Sequence, residues 1–246
     1  MIDTSIDFTG KTVCIIGGSS GIGNATAQAF RGCGAEVHVT GTRASEADYA
    51  ADEGSDLEGL TFHQLNAGDD AAIIALRQKF TRLDALVCSQ GMVMYKRAEF
   101  EPENFAKVVQ VNLNSLMTCA GQFYDLLKQT KGSLIIISST AAFHATVGNP
   151  GYNASKAGAV GLTRTLGKAW APDGIRVNGV APGLIATKMT KVTTDNPKRR
   201  EATIRSIPLG RIGDPDDMAG LVLFLASPLA GYTVGQTIIA DGGLLL

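Results

Sequence analysis

Seven short apolar runs, rich in valine, isoleucine and leucine, alternate with helical stretches along the chain. We predict strands at residues 12–16, 36–40, 60–65, 85–88, 133–138, 176–181 and 237–240. We predict helices at residues 21–31, 69–80, 153–170 and 214–226, and a helix at 102–129 that is broken near Asn112. Apolar strands separated by helices indicate a parallel sheet covered on both faces. The expected fold is one doubly wound α/β (Rossmann) domain over residues 1–246, built on a seven-stranded parallel sheet.

Composition narrows the class of protein. The chain has 246 residues, a formal net charge of -1 and no basic stripe, so nucleic acid is not an expected partner. No apolar run approaches the roughly 20 residues that span a bilayer, and the first residues lack a signal pattern. The four cysteines have neither CxxC spacing nor a nearby histidine. We therefore predict no metal site, core positions for Cys14 and Cys88, and a reducing, cytoplasmic location.

A glycine-rich turn follows the first predicted strand and opens the first predicted helix. Its glycines let the backbone approach a pyrophosphate, and the helix N-terminus supplies N–H groups and partial positive charge. A plain tight turn between strand and helix is the alternative. A Walker A loop is excluded, because Asn24 and Ala25 occupy the places of its lysine and its serine or threonine. The candidate dinucleotide-binding residues of this turn are Gly17, Ser19, Ser20, Gly21, Ile22 and Gly23.

Proton-transfer chemistry is indicated by Tyr152 and Lys156, four residues apart, and by Ser139, 13 residues before the tyrosine. Side chains four apart share a helix face, so the lysine charge is expected to lower the tyrosine pKa from its usual value of about 10. Tyr152 can then exchange a proton with an alkoxide or alcohol. Ser139 can hydrogen-bond the substrate oxygen on which charge develops. With the dinucleotide turn, these residues predict hydride transfer between a nicotinamide cofactor and a carbonyl or alcohol.

The tyrosine–lysine spacing occurs once more, at Tyr124 and Lys128. That pair falls near the end of a predicted helix, and Val111, not a serine after a strand, lies 13 residues before it. We interpret the second pair as part of an ordinary helix face.

Further motifs accompany these residues. Asn112 follows Val111, a Pro182-Gly183 turn follows the sixth predicted strand, and Asp241-Gly242-Gly243 lies near the end of the chain. In combination the motifs resemble the short-chain dehydrogenase/reductase (SDR) family, in its compact single-domain form, over essentially the whole chain. The resemblance implies a homotetramer, in which the tail 244–246 is expected to be buried at a subunit contact. It also implies a catalytic tetrad formed by Asn112, Ser139, Tyr152 and Lys156.

The resemblance assigns roles beyond the tetrad. Lys156 would also hold the nicotinamide ribose, and Asn112 would position a water in a proton relay. Ile185 and Thr187 would meet the nicotinamide carboxamide, and Asn66 stands where an aspartate often meets the adenine amino group. The implied cofactor contacts outside the glycine-rich turn are Thr42, Arg43, Asn66, Ala67, Ser89, Gly91, Tyr152, Lys156, Pro182, Gly183, Ile185 and Thr187.

The chain departs from the family pattern near the cofactor. Ile16 stands where a threonine usually precedes the first glycine, and Cys88-Ser89-Gln90-Gly91 stands where Asn-Asn-Ala-Gly is usual. These positions neighbour each other on adjacent strands in the family. We therefore expect an apolar contact between Ile16 and Cys88 in place of a polar one.

The end of the second predicted strand bears on the choice of cofactor. An acidic residue there would bind the adenosine ribose hydroxyls and repel a 2′-phosphate, but this segment carries Thr42 and Arg43 instead. A guanidinium can bind a phosphate bidentately, so we favour NADP(H). Arg43 lies one residue later than the most typical basic position, which keeps NAD(H) as the alternative.

The substrate is the least determined feature. Residues 184–213, which contain Pro197 and Pro208, form the least regular segment and are expected to be a mobile substrate lid. Mostly apolar or pliable side chains are expected around the pocket, which suits a small, uncharged ketone or secondary alcohol. The alternatives are a 3-oxoacyl-(acyl-carrier-protein) reductase and a non-catalytic dinucleotide sensor. The candidate pocket residues are Ser139, Tyr152, Met92, Met94, Phe143, His144, Val147, Leu184 and Met189.

Overall fold

The computed structural model describes residues 6–246, which fold around a single parallel sheet. Its strands are β1 Thr12–Ile16, β2 Glu36–Gly41, β3 Thr61–Gln64, β4 Ala85–Cys88, β5 Ser133–Ile137, β6 Arg176–Pro182 and β7 Thr237–Ala240. They lie in the order β3-β2-β1-β4-β5-β6-β7, so the order reverses between β1 and β4. At such a reversal a crevice opens beyond the carboxyl ends of the strands. The predicted fold class is confirmed.

Helices connect the strands and cover both faces of the sheet. They are α1 Gly21–Gly32, α2 Asp70–Arg77, α3 Pro102–Val109, α4 Ser115–Thr130, α5 Pro150–Trp170, α6 Lys191–Thr194, α7 Pro197–Ser206 and α8 Pro215–Ala226. A π-helical turn, Gln110–Asn114, joins α3 to α4 and contains Asn112, which confirms the predicted break. Among residues 6–246, none of these helices has the length and apolarity needed to cross a lipid bilayer.

The central strands send alternate side chains into two separate cores. In β1, Cys14 and Ile16 pack with residues of α2, α4 and α5, whereas Val13 and Ile15 pack with residues of α1 and α8. The same alternation divides β4 and β5 between the two cores. Because both faces are shielded from water, these strands appear in the sequence as continuous apolar runs.

The contact expected between β1 and β4 is present. Ile16 and Cys88 are partners in the parallel register, and both are fully buried in the same core. All four cysteines are free, and Cys14 and Cys88 are fully buried, as predicted. Burial raises the pKa of the Cys14 thiol above its ordinary value, so this cysteine behaves as a small apolar residue.

The segment 184–213 is more regular than the sequence suggested. It contains α6 and α7, and a parallel bridge between Ile185 and Gly213 closes it at the base. Asn196 caps α7 by accepting a hydrogen bond from the Arg199 N–H at 3.1 Å, and Pro197 lies in the first turn. Asn-Pro is a helix-start signal. The helix was missed because α7 has no buried residue, and hence no apolar stripe, to indicate it.

A pair of histidines links β2 to β3 at the edge of the sheet. His38 Nδ1 lies 3.0 Å from His63 Nε2, and the two rings are stacked with centroids 5.3 Å apart. Burial, followed by the charges of Lys79 and His38, lowers the pKa of His63 to about 4. Protonation of His63 therefore opposes folding at mildly acid pH.

We predict that this histidine makes the fold sensitive to acid. The unfolded state binds the His63 proton near its ordinary pKa of about 6.5, whereas the folded state does so only at about 4. The His63 contribution to stability is thus complete above the ordinary pKa and is lost as pH falls toward 4. Thermal unfolding between pH 8 and pH 4.5 should show a smaller fall in Tm for His63→Phe than for wild type. A change of the same size in the exposed-loop control His144→Phe would contradict this assignment.

Candidate active site

A cleft of about 430 Å³ opens where the carboxyl ends of the strands meet. It runs from the glycine-rich turn after β1 to the start of the 184–213 segment. Lys188, Thr190 and Gln90 also line the cleft, although sequence reasoning did not select them. The predicted site residues that line it are Gly17, Ser19, Ser20, Gly21, Ile22, Gly23, Thr42, Asn66, Ala67, Ser89, Gly91, Met92, Ser139, Tyr152, Lys156, Pro182, Gly183, Ile185, Thr187 and Met189.

Close backbone packing explains the glycines of the turn. Gly17 has φ +77, and a Cβ placed on it would lie 2.8 Å from the Gln90 nitrogen. A Cβ on Gly23 would lie 2.3 Å from the Gly17 carbonyl oxygen. The Gly17 N–H donates to the Thr40 hydroxyl at 2.9 Å, which ties the turn to β2. The turn is therefore a backbone cradle of the kind that fits a dinucleotide pyrophosphate.

The first helical amide of the turn has a partner within the chain. The Gly21 N–H donates to the Gly54 carbonyl at 2.9 Å, so the β2–β3 loop reaches the N-terminus of α1. Across residues 6–246, the Ser20 side chain makes no capping hydrogen bond. The remaining first-turn amides of α1 are the donors suited to an anion.

The three proton-transfer candidates converge at the other end of the cleft. Ser139 accepts a hydrogen bond from the Ala141 N–H at 3.1 Å, and its side chain lies near enough to Tyr152 to lower the pKa of the phenol. Lys156 is 4% exposed, and its ammonium donates to the Ile137 carbonyl at 2.8 Å. The Lys156 Nζ atom lies 5.7 Å from the centre of the Tyr152 ring. The neighbouring hydroxyl of Ser138 donates instead to the Lys156 carbonyl, at 2.8 Å, so Ser138 braces the helix.

Burial dominates the electrostatics of this group. It raises the pKa of Tyr152, an effect that the Ser139 hydrogen bond partly offsets. Burial also lowers the pKa of Lys156 to about 8. The expectation that Lys156 lowers the tyrosine pKa is therefore corrected: here the pKa of Tyr152 is raised. The physical reason is that desolvation of the phenol outweighs the stabilisation of the phenolate.

Comparison with known proteins agrees with this geometry. A family model described as enoyl-(acyl carrier protein) reductase matches residues 17–245. The chain is 37% identical over 243 residues to a 3-oxoacyl-(acyl-carrier-protein) reductase FabG of Rickettsia conorii, covering 98% of this chain and 99% of that relative. It is 36% identical over 250 residues to a 2-dehydro-3-deoxy-D-gluconate 5-dehydrogenase of Bacillus subtilis, covering 98% and 97%. A structure of the Pseudomonas aeruginosa RhlG/NADP active-site complex has a TM-score of 0.89 at 30% identity and covers 100% of both chains.

The chain belongs to the short-chain dehydrogenase/reductase family. The match spans nearly the whole described chain, so the predicted family is confirmed. The protein is an SDR oxidoreductase, and the residues named from the resemblance can now be located within an SDR fold.

Asn112 of this SDR is fully buried beside the cleft and does not line it. Its side chain accepts from the Met92 N–H at 2.7 Å and donates to the Met92 carbonyl at 2.9 Å and to the Ser155 hydroxyl at 3.2 Å. A Cβ placed on Gly91 would lie 3.6 Å from Lys156 Nζ and 3.7 Å from Asn112 Oδ1. The asparagine thus holds the loop after β4 beside the lysine.

Glu99 is a buried residue of the site that sequence reasoning missed. It is 1% exposed, and it accepts hydrogen bonds from the Tyr152 N–H at 2.8 Å and from the Met94 N–H at 2.9 Å. The Asn149 side chain donates to it at 3.3 Å. A carboxylate at a helix N-terminus is favourable, so Glu99 anchors the first turn of α5, which carries Tyr152. No local pattern marked it, because 53 residues separate it from Tyr152.

The predicted adenosine-end residues lie at the mouth of the cleft. Thr42 lines it, and Arg43 adjoins it without lining it. The Arg43 guanidinium packs over the Tyr49 ring at 4.6 Å and forms a 2.7 Å ion pair with Asp52. Asn66 lines the cleft, and its side-chain oxygen accepts from the Gly68 N–H at 3.0 Å.

The predicted substrate residues divide into two groups. Met92 and Met189 line the cleft beside Ser139 and Tyr152. The others lie outside its lining. Phe143 and His144 are exposed, and Val147 is 85% exposed. Leu184 lines a neighbouring cavity, and the Met94 N–H donates to Glu99.

The second tyrosine–lysine pair has a structural role. The Tyr124 hydroxyl donates to Asp173 at 2.6 Å, and the Lys128 ammonium pairs with the same carboxylate at 2.8 Å. These contacts join α4 to the turn after α5, away from the cleft. The interpretation of this pair as a helix face agrees with its place in the fold.

We predict that Glu99→Gln impairs catalysis through the placement of Tyr152. The amide would place an NH₂ donor against backbone N–H groups and so displace Tyr152. This displacement should lower kcat roughly 10- to 100-fold with a smaller change in KM. Loss of the negative charge should also lower the tyrosine pKa, because Glu99 helps to raise it. The pH–rate profile of alcohol oxidation should therefore move to lower pH. Glu103→Gln, at an exposed position on α3, is the matched control; an unmoved profile in folded Glu99→Gln would refute the role.

Proposed function

We propose that this SDR transfers hydride between NADP(H) and a small, uncharged ketone or secondary alcohol. The observation that carries the proposal is the convergence of Ser139, Tyr152 and Lys156 at one end of a cleft whose other end is the glycine cradle. Bound there, the nicotinamide supplies or accepts the hydride.

The proposed proton chemistry uses groups that this chain holds in place. Tyr152 donates its hydroxyl proton to the carbonyl oxygen during reduction, and the reverse transfer occurs during alcohol oxidation. The Ser139 hydroxyl orients the same oxygen and stabilises the charge that develops on it. The pKa of Lys156 is about 8, close to neutral pH, so its ammonium can return a proton to Tyr152 after the tyrosine has donated its own. Asn112 holds the loop after β4 beside Lys156, and Glu99 holds the first turn of α5, which carries Tyr152.

NADP(H) is the favoured cofactor, with NAD(H) as the alternative. Arg43 follows Thr42, which lines the cleft mouth, and its guanidinium is the group that we propose binds a 2′-phosphate. The RhlG structure, similar over the full length of this chain, contains NADP. The assigned contacts would be the glycine-rich turn for the pyrophosphate, Asn66 and Ala67 for adenine, and Ile185 and Thr187 for the carboxamide.

A 3-oxoacyl-(acyl-carrier-protein) reductase is the second candidate, favoured by the name of the Rickettsia relative. An acidic carrier protein needs basic docking residues, and the candidates for such a contact are Lys128 and Lys131. Lys128 is paired with Asp173 at 2.8 Å, which reduces the positive potential on that surface. We therefore rank a free small molecule above a carrier-bound substrate. A non-catalytic dinucleotide sensor is the third reading, and the complete set of proton-transfer groups argues against it.

Homotetramer formation and a cytoplasmic location stay predictions. Leu246 is exposed in the single chain, and its burial at a subunit contact belongs to the same prediction. Light scattering coupled to size exclusion would give the assembly size.

We expect Tyr152→Phe to abolish turnover while leaving cofactor binding intact. Loss of the proton donor should lower kcat about 10²- to 10⁴-fold, because general acid–base catalysis contributes rate factors of that size. The assay follows nicotinamide absorbance with NADPH and NADH, and cofactor binding is measured by fluorescence. Tyr124→Phe, from the second tyrosine–lysine pair, is the matched control and should keep wild-type turnover. Turnover retained by Tyr152→Phe would remove the tyrosine from the proposed mechanism.

The substrate panel separates the candidate functions. It contains small ketones and secondary alcohols, 2-dehydro-3-deoxy-D-gluconate, and 3-oxoacyl groups presented both as small free thioesters and on the carrier protein. We expect the highest kcat/KM with an uncharged small molecule. A carrier-bound 3-oxoacyl group that exceeds its free thioester would instead favour the second candidate. Tight cofactor binding without turnover of any compound would favour the sensor.

A further inference from the structure

Asp52 connects two cations from opposite sides of the cleft mouth. Its carboxylate lies 2.7 Å from an Arg43 guanidinium nitrogen, and the same oxygen accepts a hydrogen bond from the Lys188 ammonium. Within residues 6–246, it is the only carboxylate that forms an ion pair with either cation. The Asp52 side chain is 21% exposed, whereas those of Arg43 and Lys188 are 42% and 38% exposed.

The loop that carries Asp52 is anchored on α1. Asn24 is 5% exposed; its side chain donates to the Asp56 carbonyl at 2.6 Å and accepts from the Asp56 N–H at 2.9 Å. Gln28 donates to the Asp56 and Glu58 carbonyls at 2.9 and 3.2 Å. With the Gly21–Gly54 hydrogen bond, these contacts fix the loop at several points. The carboxylate is therefore held at the cleft mouth by a docked loop.

Lys188 belongs to the segment that closes the other side of the cleft. It lines the cleft together with Thr187, whose methyl group would lie 3.2 Å from a Cβ on Gly21. The next residue, Met189, is held through its carbonyl, which accepts from the Tyr95 hydroxyl at 2.6 Å. The start of the 184–213 segment is thus tied to the cofactor end through Asp52 and to the substrate end through Tyr95.

We infer that Asp52 weakens the preference for NADP(H) by competing with a 2′-phosphate for Arg43, and that it couples this competition to the 184–213 segment through Lys188. The inference rests on the proposed use of a nicotinamide dinucleotide. A 2′-phosphate that binds the Arg43 guanidinium must displace or approach the carboxylate already paired with it, which costs affinity. A cofactor without that phosphate has no group that competes with Asp52 for the Arg43 guanidinium. Asp52 therefore reduces the preference for NADP(H) over NAD(H).

Removal of the carboxylate charge tests the inference. In Asp52→Asn, we expect the Kd of NADPH to fall about two- to fivefold, the range typical of an exposed ion pair, while the Kd of NADH stays close to wild type. Glu53→Gln is the matched control, because it removes a charge from an exposed residue one position along the same loop. It should change neither constant. Both constants are measured by fluorescence titration at constant ionic strength.

A double-mutant cycle with Arg43→Ala identifies the pathway of the effect. The gain in NADPH affinity from Asp52→Asn should disappear in the Arg43→Ala background, because the guanidinium for which Asp52 and the 2′-phosphate compete is then absent. Amide hydrogen exchange over residues 187–194 should be faster in Asp52→Asn than in wild type or Glu53→Gln, since the Lys188 tie is lost.

Several results would overturn the inference. They are an equal change in both dissociation constants, a gain that persists without Arg43, an unchanged exchange rate over residues 187–194, or a selective loss of NADH affinity. The last result would make Asp52 an acceptor for ribose hydroxyls. Wild-type protein that binds neither NADPH nor NADH would instead refute the proposed function itself, so the two failures are distinguishable.

Discussion

The central strands β1, β4 and β5 are buried on both faces, and this constraint organises the rest of the molecule. These strands run parallel and are joined by crossovers that cover the sheet, so the loops after their carboxyl ends collect at one edge. Gly17 after β1 and Gln90 after β4 meet there in backbone contact, which only glycine permits at position 17. Ser139 after β5 and Pro182 at the end of β6 lie at the same edge.

Burial also sets the chemistry at that edge. A single cause, the removal of water, moves the pKa of Tyr152 up and the pKa of Lys156 down to about 8. It also strengthens the hydrogen bonds that orient the groups, because each acts at low local dielectric. Glu99 and Asn112 are also buried. Each accepts hydrogen bonds from backbone N–H groups next to the candidate proton-transfer residues. The buried side chains of Glu99 and Asn112 thus hold the backbone around the site in place.

The mouth of the cleft is built differently. Arg43, Asp52 and Lys188 are charged and partly exposed, and they connect the β2–β3 loop to the segment before α6. Interactions of this kind are weak and sensitive to salt, so they can be exchanged for contacts with a ligand. The molecule therefore combines a buried group of proposed proton-transfer residues with an exchangeable ionic contact at the entrance of the cleft.

The sequence by itself determined the seven strands and most of the helices, although not α6 and α7, and it selected the candidate site residues whose spacing is local. Continuous apolar strands, the turn from Gly17 to Gly23 and the pair Tyr152 and Lys156 are short-range patterns, and their positions followed from periodicity and strand order. The tertiary structure alone decided the parts that depend on distant neighbours. Glu99 supports a residue 53 positions away, and Asp52 pairs with a lysine 136 positions away, so no window of sequence contains both partners. The direction of the Tyr152 pKa shift belongs to the same class, because desolvation is a property of the packed core and not of the residue or its spacing.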